Sequence, residues 1–286
     1  MVQFDVAGHE PSFLPDESFR LTWQDEFDGV VLDRTKWDFR LHMMGTRWIS
    51  WTDSEKALYL DGKSNAVFRI IRDEEDGHLC CAQLQTGYNF MDAPPVTRHT
   101  EEDRAAAANC FGDMPTWGIG RLKDSLHLFR YGYFECRCRL QKMPKWWSAF
   151  WMQSPIIGAS RHAYDTGAEV DIMESFRPGE IKPHNVFTGG YSADVNRIKV
   201  GGKAVDVNEY HRFGLLWEPD RYVFYIDGEA DGVITENVSQ IPEFLLISTE
   251  VGGYRKEAHA PYPEAYAACD EGDEFLVDYV RVFQRG

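Results

Sequence analysis

Long apolar runs are missing from this 286-residue chain. No stretch of 18 consecutive apolar residues occurs, which excludes a transmembrane helix. A surplus of positive charge is missing too. Thirty Lys and Arg stand against 46 Asp and Glu, a net charge of −16. That sign opposes phosphate neutralisation and argues against a nucleic-acid partner or an anionic membrane surface. The N-terminal stretch has neither a basic start nor an apolar core, so it does not read as a signal peptide. Zinc spacing is absent: Cys80, Cys81, Cys110, Cys136, Cys138 and Cys269 form no CxxC or CxxxH pattern. Nor does a chain this apolar need a disulfide framework. Pro/Ser/Gly-rich linkers and 20–50-residue repeats are also lacking. Length alone suggests about two domains, yet all-β sandwiches often run to roughly 200–250 residues as one. One domain over 1–286 is therefore expected, with an N-terminal extension at 1–18.

Strand signals are abundant. Alternating segments at 19–27, 57–62, 65–72, 78–86, 130–140, 148–154, 168–176, 212–217, 221–227, 243–248 and 274–284 are mostly bounded by Gly, Pro, Asp or Asn. Asp227–Gly228 carries a hairpin-turn signal. Long amphipathic helices are nearly absent, so an all-β, two-sheet sandwich is expected. Cys136 and Cys138, two apart, share one strand face and read as core. The weakly periodic stretch 88–118 breaks the rhythm and reads as a long loop, either at the rim of a binding site or a passive insertion.

The sharpest feature is Glu169-Val170-Asp171-Ile172-Met173-Glu174. Side chains alternate along a strand, so Glu169 and Asp171 share a face and Val170 and Ile172 face the core. Regular pleating would then turn Glu174 inward, where an ionised carboxylate is costly. One extra residue, a β-bulge at Ile172–Met173, returns Glu174 to the polar face. Three carboxylates in a row repel, and at least one pKa should rise. Two carboxyls straddling a third suit retaining glycoside hydrolysis, in which an ionised nucleophile and a raised-pKa acid stand roughly 5–5.5 Å apart. A Ca²⁺ site or a solvated acidic face would use the same residues.

Aromatic residues lie just upstream in WWSAFWMQ. Trp147, Ala149 and Trp151 share a face of an alternating strand. Flat rings stack on the apolar faces of sugars, although aromatics also dominate cores. Trp147 reads as ligand-facing and Trp151 as core. Trp48, Trp51 and Trp117, in less regular segments, are further candidates for sugar stacking.

These residues resemble glycoside hydrolase family 16. EVDIMES is similar to that family's bulged catalytic signature, Glu-x-Asp-x-x-Glu. LTWQDEFDGVVLDRTKW resembles its N-terminal opening. YGYFECRCRL followed by WWSAFWMQ resembles two central strands, and YHRFGLLWEPDRYVFYIDGE and VDYVRVFQ its C-terminal signatures. The resemblance implies a β-jelly roll of two curved antiparallel sheets with a sugar cleft on the concave side. It implies endo-hydrolysis of a β-linked polysaccharide with retention. Glu169 matches the nucleophile, Asp171 the middle helper and Glu174 the acid/base. Trp147 matches a cleft-lining tryptophan. No cofactor is implied for catalysis, but a structural Ca²⁺ is, with Asp278 as carboxylate ligand and backbone oxygens near Glu26 and Gly62. Two departures stand out. Ser148 replaces a proline, and Asn185-Val186-Phe187 lacks the histidine of an Asn-x-His stretch, which puts standard β-1,3-glucan recognition in doubt. His184 is the candidate substitute, with Asn185 beside it as a substrate contact.

The expected activity is that of a retaining endo-β-glycosidase, with β-1,3-glucan of the laminarin type ahead of agar, porphyran or carrageenan galactans. Bulk acidity disfavours a sulfated polymer, but Arg47, Arg98, Arg121 and Arg161 could line a basic cleft. A non-catalytic lectin on the same sandwich and a calcium-dependent adhesion module are the rivals. Cleft shape is expected to depend on loops 40–55, 88–118 and 155–167. A monomer is expected, acting outside the cytoplasm because polymers cannot cross membranes, with any leader replaced by Met1.

Overall fold

Alternation of period two carries through to three-dimensional structure. The computed structural model describes residues 1–43, 46–47, 50–75, 77–89, 92, 123–188, 196–251 and 263–286. In chain order the strands are β1 (Val2–Phe4), β2 (Ser12–Leu14), β3 (Phe19–Asp25), β4 (Asp38–Phe39), β5 (His42–Met43), β6 (Thr46–Arg47), β7 (Leu58–Leu60), β8 (Ala66–Arg69), β9 (Ile71–Arg72), β10 (Leu79–Cys80) and β11 (Gln83–Gln85). There follow β12 (Gly132–Arg139), β13 (Trp146–Gln153), β14 (Glu169–Ser175), β15 (His184–Thr188), β16 (Asn196–Val200), β17 (His211–Glu218), β18 (Arg221–Ile226), β19 (Glu229–Ile234), β20 (Phe244–Val251) and β21 (Glu274–Arg285). Two short helices, α1 (Ala163–Thr166) and α2 (Pro263–Glu271), complete the described elements.

Two antiparallel sheets make the sandwich. One has seven strands in the order β16-β15-β14-β13-β20-β11-β4. The other has eight: β19-β18-β17-β12-β21-β8-β7, with β3 also paired to β21. Inward residues alternate with outward ones on both sheets. Phe134, Cys136 and Cys138 of β12, Phe213, Leu215 and Trp217 of β17, and Val280 and Val282 of β21 share one core with Phe150, Met152, Val170, Ile172, Leu245 and Ile247 of the seven-stranded sheet. Each such apolar side chain contributes about 1.5–3 kcal/mol on burial. The two cysteines are core residues, as their spacing indicates.

The β1–β2 hairpin covers the far face of the eight-stranded sheet. Leu14, Phe19, Tyr133, Leu216 and Phe283 form a second small core there, with Phe4 packed on it. A polar layer runs through this contact. Arg281, fully buried, donates from Nε and Nη2 to the two Glu26 carboxylate oxygens at 2.8 and 2.7 Å. Its Nη1 donates to Ser12 Oγ at 2.9 Å. Asp227 and Gly228 join β18 to β19 with φ of 53° and 79°, the positive angles that an Asp-Gly hairpin turn requires.

The bulge in β14 lies where the sequence places it. Trp151 pairs with Asp171 and Phe150 with Met173, so one step on β13 spans two residues on β14. Ile172 and Met173 both face the core. Glu174 pairs with Ala149 and regains the face of Asp171.

Candidate active site

Cross-strand partners in an antiparallel sheet share a face, so the register defines the floor of the site. Trp147, Ala149, Trp151 and Gln153 of β13 lie beside Glu174, Asp171 and Glu169 of β14. Asn185 and Phe187 of β15 pair with Asp171 and Glu169. Lys199 and Arg197 of β16 pair with Asn185 and Phe187. On the other side lie Glu250, Ser248 and Leu246 of β20, then Gln83 and Gln85 of β11.

The three carboxyls are brought together, each in a different setting. Asp171 is 6% exposed and accepts a hydrogen bond from Asn185 Nδ2 at 2.6 Å. Burial, then the charges of Glu174 and Glu169, push its carboxyl well above the ordinary range, against the pull of Asn185. Burial first and Glu169 second push Glu174 up to about 7. Lys199, Arg197 and Lys182 oppose that rise. Such a group keeps a substantial protonated fraction near neutral pH and in that form is able to donate.

Glu169 is held by a network that the sequence did not reveal. Gln153 Nε2 donates to Glu169 Oε2 at 2.6 Å. Gln153 Oε1 accepts from Asn89 Nδ2 at 2.8 Å and Arg40 Nη2 at 3.2 Å. Two donors on the oxygen fix the amide so that its NH₂ faces Glu169. Arg40 is anchored in turn by Asp92, Nε to Oδ1 at 3.0 Å. Gln153 had a legible signal, since period two places it on the face of Trp147 and Trp151. Arg40, Asn89 and Asp92 come from distant segments and had none. Another missed residue is Glu243, fully buried, whose Oε1 accepts from the Ala168 N–H at 2.9 Å next to Glu169. Burial raises its pKa to about 8.

The other expectations divide. Trp147 is half-buried on the expected face and stacks on Phe176, with centroids 4.4 Å apart and 26° between planes. Trp151 corrects its reading as core. It is half-buried beside Asp171, with its indole N–H on Ser248 Oγ at 3.0 Å. Trp51 does not offer a stacking face: it is 4% exposed and bridged to Cys81. Trp48 and Trp117 lie outside the described residues, as do Arg98 and Arg121 and most of 88–118. Asn185 faces the site but is committed to Asp171. His184 is not a substrate contact. It points between the sheets, 1% exposed, because alternation sets it opposite to Asn185.

The calcium expectation meets a poor donor set. Asp278 Oδ2 accepts from Arg137 Nη1 at 2.5 Å, so a guanidinium already neutralises it. The Glu26 backbone oxygen accepts from Ser64 Oγ at 2.7 Å, and its carboxylate is held by Arg281. Gly62, with φ of 68°, marks a turn beside Val30. As folded, these groups do not fit a calcium ion.

The chain is similar to known proteins. The profile of the glycosyl hydrolases family 16 matches residues 105–261. The chain is 25% identical over 309 residues to glucan endo-1,3-β-glucosidase A1 of Niallia circulans, covering 99% of this chain and 40% of that protein. It thus spans about two fifths of the length of that relative. A glucan endo-1,3-β-glucosidase of Cryptopygus antarcticus is 27% identical over 252 residues, 82% of this chain and 80% of that protein. Among solved structures, SCLam, a non-specific endo-β-1,3(4)-glucanase, superposes with a TM-score of 0.67 at 19% identity over 97% of this chain and 95% of that one. That likeness shows the fold, a jelly-roll sandwich.

Proposed function

The chain belongs to glycosyl hydrolase family 16, and from that premise we propose that it is a retaining endo-β-1,3-glucanase acting on laminarin-type polysaccharide. The observation that carries the reading is the bulge that sets Glu174 on the face of Glu169 and Asp171. The names of the Niallia circulans and Cryptopygus antarcticus relatives support the linkage.

In this reading the Glu169 carboxylate attacks the anomeric carbon as the glycosidic C–O bond breaks. Glu174 gives its proton to the departing oxygen, which leaves as a free hydroxyl. Glu174, now ionised, takes a proton from water. That water attacks the anomeric carbon, releases Glu169, and yields a product of unchanged anomeric configuration. Asp171, whose protonated form is favoured by burial and then by its two acidic neighbours, can in that form donate a hydrogen bond toward one of them. The Trp147–Phe176 stack supplies a flat wall for a sugar ring. Such a polymer-cleaving enzyme works outside the cytoplasm.

Product analysis on laminarin tests this directly. The expected result is a ladder of oligosaccharides whose new reducing ends are first seen as the β-anomer. A Glu174→Gln variant with full turnover would overturn the assignment. One observation favours a second reading, a hydrolase of anionic β-galactan: Lys182, Arg197 and Lys199 lie near enough to lower the Glu174 pKa. Faster release from porphyran or carrageenan than from laminarin would select it.

A further inference from the structure

A bulge leaves backbone groups without their regular ladder partners. Between β14 and β15 the paired register runs Glu169↔Phe187, Val170↔Val186 and Asp171↔Asn185, and stops there. The next backbone bond joins the Lys182 N–H to the Glu174 carbonyl at 2.9 Å, beyond the bulge. Pro183, in between, has no N–H to give. The Ile172 carbonyl, at the bulge itself, is met by a side chain: His184 Nδ1 donates to it at 2.7 Å. A carbonyl only accepts, so Nδ1 carries a proton.

The same imidazole is fixed from the opposite sheet. It stacks on Phe224 of β18, with centroids 4.5 Å apart and 9° between planes. Its Nε2 lies 3.1 Å from Asp231 Oδ2 of β19. Asp231 is itself tied down, since its Oδ2 accepts from the Gly202 N–H at 2.6 Å. The backbone comes so close there that a Cβ on Gly201, at φ of 63°, would sit 2.4 Å from the Asp231 carbonyl oxygen. One ring therefore bolts the irregular turn of β14 to the strands across the core.

We propose that His184 is a positioning residue for the reaction, pinning the Ile172–Met173 bulge in one form so that the Glu174 carboxyl is held in place beside Glu169. This rests on the reading of Glu174 as proton donor. Ile172 and Met173, two successive core-facing residues, can exchange the role of extra residue. Glu174 keeps its face either way, but the backbone that leads into it takes a different path and shifts the carboxyl along that face. The hydrogen bond to the Ile172 carbonyl specifies which of them bulges. An apolar ring in place of His184 would fill the same space and stack on Phe224, but would leave that choice open.

The test compares His184→Phe, which keeps the stack, with His184→Gln, which keeps an N–H donor. Each is assayed on laminarin and on an aryl β-oligoglucoside whose nitrophenol leaves without protonation. His184→Phe is expected to lose on the order of 100-fold on laminarin, the scale of general acid catalysis, and far less in bond cleavage on the aryl substrate. Added azide should speed aryl turnover by replacing the water that Glu174 no longer activates. His184→Gln should keep most of the wild-type rate. Equal losses on both substrates with no azide effect would mark an ordinary core residue and overturn the proposal. A crystal structure of His184→Phe separates this claim from the proposed function. If the bulge and Glu174 are unmoved there, the pin is refuted whatever the substrate. If Glu174→Gln keeps full turnover, the acid assignment falls and takes with it the catalytic role of the pin.

Discussion

The Gln153 amide N–H reaches Glu169 across one strand boundary at 2.6 Å, with its own oxygen held by Asn89 and Arg40. An amide fixed in this way presents one donor and cannot flip to present its oxygen. Replacing Gln153 by Leu removes a hydrogen bond to a charged group, worth about 1.5–3 kcal/mol. A loss of roughly 10- to 100-fold in kcat/KM on laminarin is expected, on that figure and about 1.4 kcal/mol per tenfold. Gln153→Glu should be worse, because it sets a carboxylate against Glu169. Steady-state kinetics of the two variants checks both the size and the order.

The raised pKa of Glu174 fixes the sign of the pH profile. A proton donor acts while protonated, so kcat/KM should fall as pH rises through about 7. Lys182→Ala, Arg197→Ala and Lys199→Ala each remove a cation that favours the ionised form, and each should move that limb to higher pH. A limb that moves the other way would contradict the cause assigned here.

Stability should follow the same sign. The folded pKa of Glu243 is about 8, above its ordinary 4.5, so between those values the folded protein holds a proton that the unfolded chain has released. Stability therefore declines as pH rises from about 4.5 to about 8 and levels off above. Urea unfolding at pH 5 and pH 8 should show this fall, and Glu243→Gln should shrink it.

Gly167 can take almost no side chain. Its φ is 80°, and a Cβ there would lie 2.2 Å from Ser154 Cβ and 3.1 Å from Glu243 Oε1. Gly167→Ala should destabilise by more than about 1 kcal/mol, the scale of a forbidden backbone conformation. It should also cut activity, because the push falls on Glu243 and thus on the Ala168 amide beside Glu169. Thermal melts and laminarin turnover measure the two effects separately.

On the far face, Arg281→Ala would leave the buried Glu26 carboxylate without its partner, a change worth about 3–5 kcal/mol. Turnover per folded molecule should be unchanged, since the whole core separates this pair from β14. A specific activity that fell along with the melting temperature would show coupling that the layering does not provide.

The sheets were legible because period-two alternation with Gly and Asp turns is a strong local signal. The hairpin at Asp227–Gly228 and the Cys136–Cys138 core face follow from it directly. The bulge was legible for a different reason: the cost of burying Glu174 makes regular pleating untenable. Strands β15 and β16 escaped, since HNVFT and NRIKV mix polar and apolar residues and β16 is a largely exposed edge. Ring placement failed where packing decides it. Trp51, from a less regular segment, is enclosed, while Trp151, from a regular strand, lies on the floor of the site, the reverse of what their local sequence suggests. His184 failed for want of one piece of parity. Once Asn185 is assigned to the face of Asp171, its neighbour must point inward.

The bulged strand has an arithmetic consequence. Deleting Ile172 would leave Glu-Val-Asp-Met-Glu, in which all three acids fall on one side of a perfectly regular pleat. The surplus residue is thus dispensable for lining up the acids. What its removal would take away is the carbonyl that the imidazole across the core grips, so a shortened strand and an unaltered residue 184 make a mismatched pair.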